Sequence, residues 1–372
     1  MSFRAKLFCW KDPYDITGTD ALFVEAVREN VLFHQHNCSK YREILQRESF
    51  SPERLRGVDD LSRLPVLPTL YFKRNQLFSI PENRMVLRST SSGTTGTMSH
   101  IGWSWQDCLY GLRMVLAVTR RHRLLSPMPT NYIVLGYQPH RSNQTAISKT
   151  AFGFTFFAPA IHRTYALRYQ KDGYALDMDG LKEAILRYSQ RPFPVRTMGF
   201  PAYTYFFLRA LREEGFRLKL HPASRVCVGG GWKQFYSEKV EKEELYALAE
   251  EVLSIPESRC HEFFGAVEHP ILYADCRKHH FHIPVYARVI IRDVKTLQPL
   301  PKGETGLVNL LTPMICGVPL TSVMTDDLGV LHPTESCGCG CPSPWLEIIG
   351  RVGLREIKTC AAGAAELLGG TS

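Results

Sequence analysis

The sequence predicts an α/β fold in which helices alternate with short buried strands and a strand-rich region follows. Apolar side chains recur at helical spacing in several long stretches, and short apolar runs bounded by glycine or proline lie between them. From residue 285 to residue 311 the pattern is mainly that of β-strands. This order is typical of an α/β core followed by a small β subdomain.

Helices are predicted where apolar spacing coincides with end signals. Residues 20–47 form one predicted helix and residues 108–125 another. Pro201 fits the first turn of a third helix, which ends at Gly215, because a first-turn N–H has no intrahelical acceptor to lose. Ser237 is the predicted N-cap of a charged helix further along the chain.

Short apolar runs predict the strands. The runs with the strongest strand pattern are residues 132–136, 197–200, 226–228, 288–292 and 306–311. The aromatic run 152–158 is interpreted as a further buried strand, in preference to the lining of an acyl tunnel.

Composition limits the class of protein. The chain has 372 residues, is 44% hydrophobic and carries a formal charge of +9. Its basic residues are scattered and match no nucleic-acid-binding motif, so an anionic small molecule or an acidic partner surface is the expected counterpart. No signal peptide or membrane span is recognised, and eleven cysteines without a signal favour thiols and a metal site over disulfides. We therefore expect a cytoplasmic protein.

A loop rich in hydroxyl side chains is the first candidate site. It reads Ser89-Thr90-Ser91-Ser92-Gly93-Thr94-Thr95-Gly96. It lacks the Gly-x-x-x-x-Gly-Lys-Ser/Thr pattern, but backbone N–H groups and short hydroxyl donors can approach a phosphate closely. The alternative is a flexible Ser/Thr/Gly linker.

Several motifs taken in order resemble the adenylate-forming superfamily, which includes acyl-CoA ligases and luciferase. The segment Ser91-Ser92-Gly93-Thr94-Thr95-Gly96 resembles its phosphate loop, and Phe264-Gly265-Ala266-Val267-Glu268 is similar to its Tyr-Gly-x-Thr-Glu segment. The resemblance implies that Phe264 and Gly265 lie at the nucleotide and that Glu268 holds Mg²⁺ on the phosphates of ATP.

Three further segments extend the resemblance. Thr325-Asp326-Asp327-Leu328 is similar to a Thr-Gly-Asp-Leu motif whose aspartate binds the ribose, although Asp326 stands where glycine is usual, so that Asp326 and Asp327 are alternatives for that role. Arg351 in Ile349-Gly350-Arg351 is implied to reach the ribose as well. Gly229, Gly230 and Gly231 correspond to a glycine-rich strand end beside the adenine.

Within the superfamily, the chain most resembles the acyl-protein synthetases of the LuxE family. The resemblance is carried by Gly229-Gly230-Gly231-Trp232-Lys233, by Phe264 to Pro270 and by His279-His280-Phe281-His282-Ile283-Pro284. It implies the fold of the large N-terminal adenylate-forming domain, made of mixed sheets with helices, over residues 1–350, with the C-terminal domain reduced to a tail over 351–372. It also implies a long-chain fatty acid substrate, a thioester on a cysteine near the C-terminus, and a reductase subunit that receives the acyl group.

Cys360 occupies the position of that cysteine. Arg355 and Lys358 precede it, and a short predicted helix begins at the thiol, so nearby positive charge and a helix N-terminus both favour the thiolate. The alternative is a stray thiol on a frayed tail. The superfamily's catalytic lysine belongs to its C-terminal domain, and Lys233 or Lys358 is the predicted substitute.

A zinc site is predicted from a second group of cysteines. Cys276, His282, Cys337 and Cys339 are the chosen ligands, because two ligand pairs from separate loops suit tetrahedral Zn²⁺. Cys341 or His280 is an alternative to one of them, and a set of reduced thiols without metal is the alternative to the whole site.

Two other functions compete with self-acylation. One is a ligase that transfers the acyl group from acyl-AMP to coenzyme A or to a carrier protein, with Cys360 incidental. The other is a nucleotide-binding scaffold without catalytic activity that regulates a reductase. The completeness of the motif set favours the enzyme that acylates itself.

Overall fold

Two units make up the chain in the computed structural model, which describes residues 1–91, 98–171, 173–232, 235 and 238–351. The first unit contains residues 1–121 and the chain from residue 265 onward, and the second contains residues 122–264. Within the described residues, no helix combines the length and hydropathy that a membrane crossing requires.

Helices occur in both units. In chain order they are α1 (Phe3–Leu7), α2 (Ile16–Asn37), α3 (Ser39–Arg47), α4 (Thr69–Arg74), α5 (Trp105–Arg121), α6 (Ala146–Phe154), α7 (Met178–Ser189), α8 (Pro201–Glu213) and α9 (Lys242–Leu253).

Strands also occur in both units. In chain order they are β1 (Leu67–Pro68), β2 (Leu87–Thr90), β3 (His100–Trp103), β4 (Thr130–Tyr137), β5 (Ala160–Gln170), β6 (Gly173–Leu176), β7 (Val195–Gly199), β8 (Arg225–Gly229), β9 (Cys260–Ala266), β10 (His269–Ala274), β11 (Phe281–His282), β12 (Arg288–Arg292), β13 (Thr305–Leu311), β14 (Ser322–His332) and β15 (Trp345–Arg351).

The first unit is built around an antiparallel sheet. Its strands lie in the order β11-β15-β14-β13-β12, and β1 adds a short parallel pairing with Val323 and Met324 of β14. A separate hairpin, β2–β3, pairs Thr90 with His100. In the chain, the hydroxyl-rich segment begins within β2 and ends before β3.

The second unit is a sheet covered by helices. Its strands lie in the order β9-β8-β7-β4-β5-β6, all parallel except the pairing of β5 with β6. The central strand β4 is buried over nearly its whole length, and its apolar residues pack with those of α7, α8 and α9 in one core. A strand covered on both faces reads as a continuous apolar run, which explains why β4 was recognisable in the sequence.

Most predicted elements are confirmed, with shifts at their ends. The predicted strands correspond to β4, β7, β8, β12 and β13, and two predicted helices correspond to α5 and α8. The helix that was predicted to begin at Ser237 starts at Lys242, with Glu241 as its N-cap, while Ser237 itself lies outside the described residues.

Two local predictions are wrong. The single helix over 20–47 is two helices, because Cys38 adopts an extended conformation (φ −126°, ψ 106°) that separates α2 from α3. The run 152–158 is not a strand: it contains the end of α6, after which the chain turns toward β5. Aromatic side chains at Phe152 and Phe156 contact each other across this turn, so apolar content alone did not distinguish helix from strand.

Candidate active site and metal centre

The carboxylate of Glu268 lies in the short connection between β9 and β10, where it is buried. Glu268 is 5% exposed, and the hydroxyl of Ser99, itself fully buried, donates a hydrogen bond to Glu268 Oε1 at 2.5 Å. Burial raises the pKa of Glu268, whereas the hydrogen bond from Ser99 lowers it. Burial therefore destabilises the ionised form of this carboxylate, and a bound cation would offset that cost.

Ser99 connects Glu268 to the hydroxyl-rich segment. The Ser99 N–H donates to Ser91 Oγ at 3.0 Å, and the Ser91 N–H donates to the Ser99 carbonyl at 3.2 Å. These bonds continue the β2–β3 hairpin beyond its last pair and hold the two ends of the segment together. Ser91 and Glu268, which are 177 positions apart in the sequence, are thus linked through one residue, Ser99.

The two neighbouring aspartates of β14 have different partners. Asp327 Oδ1 accepts a hydrogen bond from Arg351 Nε at 3.0 Å, and the two residues are opposite one another in the β14–β15 pairing. Asp326 Oδ1 instead accepts a bond from the Thr69 hydroxyl at 3.3 Å. Successive side chains of a strand point to opposite faces, so the pairing with β15 decides which aspartate meets Arg351.

Asp326 belongs electrostatically with Glu268. Burial raises the pKa of Asp326, while the positive charge of Lys73 lowers it, and Lys73 acts on Glu268 in the same direction. The charge of Asp326 in turn raises the pKa of Glu268. Within the first unit, Lys73 and Asp326 therefore both act electrostatically on the Glu268 carboxylate.

The predicted glycine-rich segment lies at the end of β8 in the second unit, where Gly229 is the last residue of the strand and Gly230 and Gly231 follow it. Gly230 and Gly231 have φ angles of 85° and 70°, a region that favours glycine. A Cβ atom at Gly230 would lie 2.7 Å from Ile147 Cδ1, so the turn packs closely against α6. Phe264 also lies in this unit, whereas Gly265 begins the return of the chain to the first unit.

Several predicted site residues lie outside the described residues. They are Ser92, Gly93, Thr94, Thr95, Gly96, Lys233, Lys358 and Cys360.

Four side chains in the first unit form a candidate metal centre. The ligand atoms of Cys276, His282, Cys337 and Cys339 all lie within 4.8 Å of one another. The Cys276 and Cys337 sulfurs are 3.6 Å apart, and His282 Nε2 lies 3.2 Å from Cys337 Sγ and 3.1 Å from Cys339 Sγ. Tetrahedral Zn²⁺ with sulfur ligands at about 2.3 Å requires spacings close to these.

Local structure orients this set. Cys276 opens the turn between β10 and β11, His282 lies on β11, and Cys337 and Cys339 alternate with Gly338 in the connection from β14 to β15. Gly338 has a φ of 67°, which lets the loop turn so that both sulfurs approach His282.

The tautomer of His282 also suits a metal. Its Nδ1 donates to the Ser343 carbonyl at 2.6 Å, which leaves Nε2 as the electron-pair donor toward the two cysteines. Metal-binding histidines usually donate a hydrogen bond of this kind from the ring nitrogen that does not bind the metal. The geometry thus favours the four predicted ligands.

The two alternative ligands lie beside this set. His280 Nδ1 is 3.2 Å from Cys337 Sγ, but the His280 ring stacks on Trp345 with ring centroids 3.7 Å apart. The Cys341 N–H donates to Cys339 Sγ at 3.4 Å. Both residues support the centre in this arrangement, and neither belongs to the group of four mutually close ligand atoms.

Sequence reasoning missed Ser99, Thr69 and Lys73. Ser99 stands in an unremarkable Met-Ser-His segment, and the other two lie on a short helix that carries no recognised motif. Ser99 and Thr69 donate hydrogen bonds to carboxylates far away along the chain, and Lys73 acts on the same two carboxylates electrostatically. No local pattern in the sequence signals such interactions.

Comparison with known proteins gives one family and a consistent fold. Residues 7–368 match the family described as "Acyl-protein synthetase, LuxE". A "Long-chain-fatty-acid--luciferin-component ligase" of Vibrio harveyi is 26% identical over 334 residues, which is 88% of this chain and 83% of the relative. A protein of the same name from Aliivibrio fischeri is 23% identical over 350 residues, or 92% and 87% of the two chains.

Solved structures confirm the fold class. An open conformation of 2-hydroxyisobutyryl-CoA ligase superposes with a TM-score of 0.68 at 14% identity, covering 92% of this chain and 71% of that one. A long-chain-fatty-acid-CoA ligase from Archaeoglobus fulgidus gives a TM-score of 0.51 at 15% identity, covering 76% and 54%. The α/β fold of the adenylate-forming ligases, predicted from the sequence, is therefore confirmed.

Proposed function

Because this chain belongs to the acyl-protein synthetase family LuxE, we propose that it activates a long-chain fatty acid with ATP and then carries the acyl group as a thioester. An acyl-protein synthetase is a ligase, so the chain is an enzyme of that class. The Vibrio harveyi and Aliivibrio fischeri relatives are both named as ligases of a long-chain fatty acid, which supports this class of substrate. The observation that supports ATP chemistry best is the Ser91–Ser99–Glu268 network beside the hydroxyl-rich segment.

In the first step an oxygen of the fatty-acid carboxylate attacks the α-phosphorus of ATP. The bond from that phosphorus to the bridging oxygen breaks, which gives acyl-AMP and pyrophosphate. Ser91 and the residues that follow it through Gly96 supply hydrogen-bond donors to the phosphates, and such donors stabilise the charge that develops there. Asp327, held by Arg351, binds the ribose hydroxyls.

Glu268 fits a Mg²⁺ ion, since it is a buried carboxylate whose ionised form lacks solvation. Mg²⁺ bound there would neutralise part of the phosphate charge. Ser99 orients the carboxylate and keeps one of its oxygens hydrogen-bonded.

In the second step the thiolate of Cys360 attacks the carbonyl carbon of acyl-AMP. AMP leaves with the electron pair of the broken C–O bond, and the acyl group remains on sulfur as a thioester. The basic residues Arg355 and Lys358 in the surrounding sequence favour the thiolate. A reductase subunit then receives the acyl group, and the thioester keeps the carbonyl reactive for that transfer.

The cluster of Cys276, His282, Cys337 and Cys339 holds a structural Zn²⁺ in this proposal. It is supported by the mutual distances of the ligand atoms and by the His282 tautomer. A closed set of four protein ligands would leave no position for substrate, so a Zn²⁺ ion there would tie the β10–β11 turn to the β14–β15 connection and would take no part in acyl transfer.

Labelling the protein with a radioactive fatty acid tests the second step. In the presence of ATP and Mg²⁺ the chain should acquire label that neutral hydroxylamine removes, and Cys360→Ala should abolish it. Cys9→Ala is the matched control, because Cys9 is an exposed thiol distant in sequence from every motif. Label that persists in Cys360→Ala, or label that appears only on added coenzyme A, would refute self-acylation at Cys360.

Exchange of radioactive pyrophosphate into ATP tests the first step by itself. Exchange should require a fatty acid and should continue in Cys360→Ala, because that variant still makes acyl-AMP. A wild-type protein that binds ATP but shows no exchange with any fatty acid would favour the regulatory scaffold.

A further inference from the structure

The phosphates of ATP require positive charge from the protein, and one described lysine is placed to supply it. The resemblance to the superfamily assigned this role to a lysine of a C-terminal domain, with Lys233 or Lys358 as substitutes, and both lie outside the described residues. Lys73 lies on α4 within the first unit, which also contains Ser91, Ser99 and Glu268.

The placement of α4 follows from the pairing of β1. Leu67 and Pro68 pair in parallel with Val323 and Met324, so the chain that leaves β1 runs beside the part of β14 that leads to Asp326. The helix α4 begins at the next residue, Thr69, whose hydroxyl donates to Asp326 at 3.3 Å. This hydrogen bond attaches the first turn of α4 to Asp326.

Lys73 lies one helical turn beyond Thr69. Residues four apart share a helix face, so Lys73 stands on the side of α4 that faces Asp326. The ammonium group interacts electrostatically with both Asp326 and Glu268. Lys73 is half-buried, whereas its neighbour Arg74 is exposed. The charge of a half-buried cation is screened less by solvent and salt than that of a fully exposed lysine.

We propose that Lys73 binds the phosphates of ATP and stabilises the charge that develops as pyrophosphate leaves. This rests on the proposed function. As the carboxylate oxygen bonds to the α-phosphorus, the electron pair of the breaking P–O bond moves onto pyrophosphate. The Lys73 side chain donates hydrogen bonds to the phosphate oxygens. Asp326 and Thr69 position the lysine, and Lys73 prevents repulsion between the two carboxylates and the incoming phosphates.

The variants Lys73→Met and Lys73→Arg test this role, with Arg74→Met as the control. Lys73→Met should slow fatty-acid-dependent pyrophosphate exchange on the order of 100-fold, the effect typical of losing one such charged donor. Lys73→Arg should recover at least a tenth of the wild-type rate, and Arg74→Met should exchange at the wild-type rate. All three should transfer acyl groups from chemically prepared acyl-AMP to protein at the wild-type rate, because that step involves neither ATP nor pyrophosphate.

The outcomes separate this inference from the proposed function. Normal exchange in Lys73→Met, or equal loss of exchange and of transfer from acyl-AMP, would overturn the role of Lys73 and leave the function intact. Absence of exchange in the wild type would overturn the function itself.

A measurement on the wild type avoids any dependence on folding of the variants. Brief acetylation followed by peptide mass spectrometry should show that ATP with Mg²⁺ protects Lys73 several-fold and leaves the exposed Lys40 unprotected. Equal labelling of Lys73 with and without ATP would contradict phosphate binding.

Discussion

Replacing Cys339 with serine should remove zinc from the metal centre, whereas the same change at Cys341 should not. A structural Zn²⁺ contributes roughly 10–16 kcal/mol of apparent binding free energy at neutral pH, so each of four ligands accounts for about 3 kcal/mol. A serine hydroxyl does not ionise near pH 7, and losing one thiolate should therefore weaken binding about 100-fold. Cys341 is two positions away, but its sulfur is not among the four mutually close ligand atoms.

Metal content and thermal unfolding measure this effect. Wild type and Cys341→Ser should each purify with one zinc per chain by mass spectrometry of the metal, and Cys339→Ser should lose it to a competing chelator. At a fixed free zinc concentration, a 100-fold weaker site lowers the free energy of unfolding by about 2.7 kcal/mol. The reasoning is refuted if Cys339→Ser retains zinc as tightly as the wild type, or if Cys341→Ser loses it equally.

Three further predictions concern the acidic site and the buried histidines. Glu268→Gln should abolish exchange yet raise the free energy of unfolding at pH 7. Burial raises the pKa of Glu268, so stability falls as pH rises from the unfolded to the folded pKa, and urea titrations at pH 7 and pH 4 should show the gain only at pH 7. Asp327→Asn should weaken ATP binding about 10-fold in calorimetry, and an unchanged affinity would contradict the ribose assignment. The same change removes the half-exposed ion pair between Asp327 and Arg351, which should lower the free energy of unfolding by no more than about 1 kcal/mol. Burial lowers the pKa of His34 and of His269 to about 3, so below the ordinary histidine pKa the unfolded chain binds protons that the folded chain does not. The free energy of unfolding should therefore fall on acidification by about 1.4 kcal/mol per pH unit for each histidine. A urea midpoint that is constant between pH 6 and pH 4 would contradict this.

The sequence was informative where a function depends on short segments with special chemistry. The hydroxyl-rich loop, the Phe-Gly-x-x-Glu segment and the Cys-Gly-Cys run need particular residue types at close spacing, so they can be recognised without coordinates. The same holds for β4, whose burial on both faces leaves an uninterrupted apolar run. Family and fold class followed from these segments taken in order.

Only the tertiary structure decided which side chains meet. The sequence left Asp326 and Asp327 as alternatives for the same role. The register of β14 against β15 places Asp327 opposite Arg351, whereas Asp326 accepts a hydrogen bond from Thr69. Ser99 reaches Glu268 across 169 positions of sequence, and no local pattern marks it. Propensity and periodicity report on neighbours within a few residues, whereas contacts of this kind depend on how strands pair and helices pack. For that reason the segments of the candidate site could be predicted from the sequence, whereas the contacts among their side chains could not.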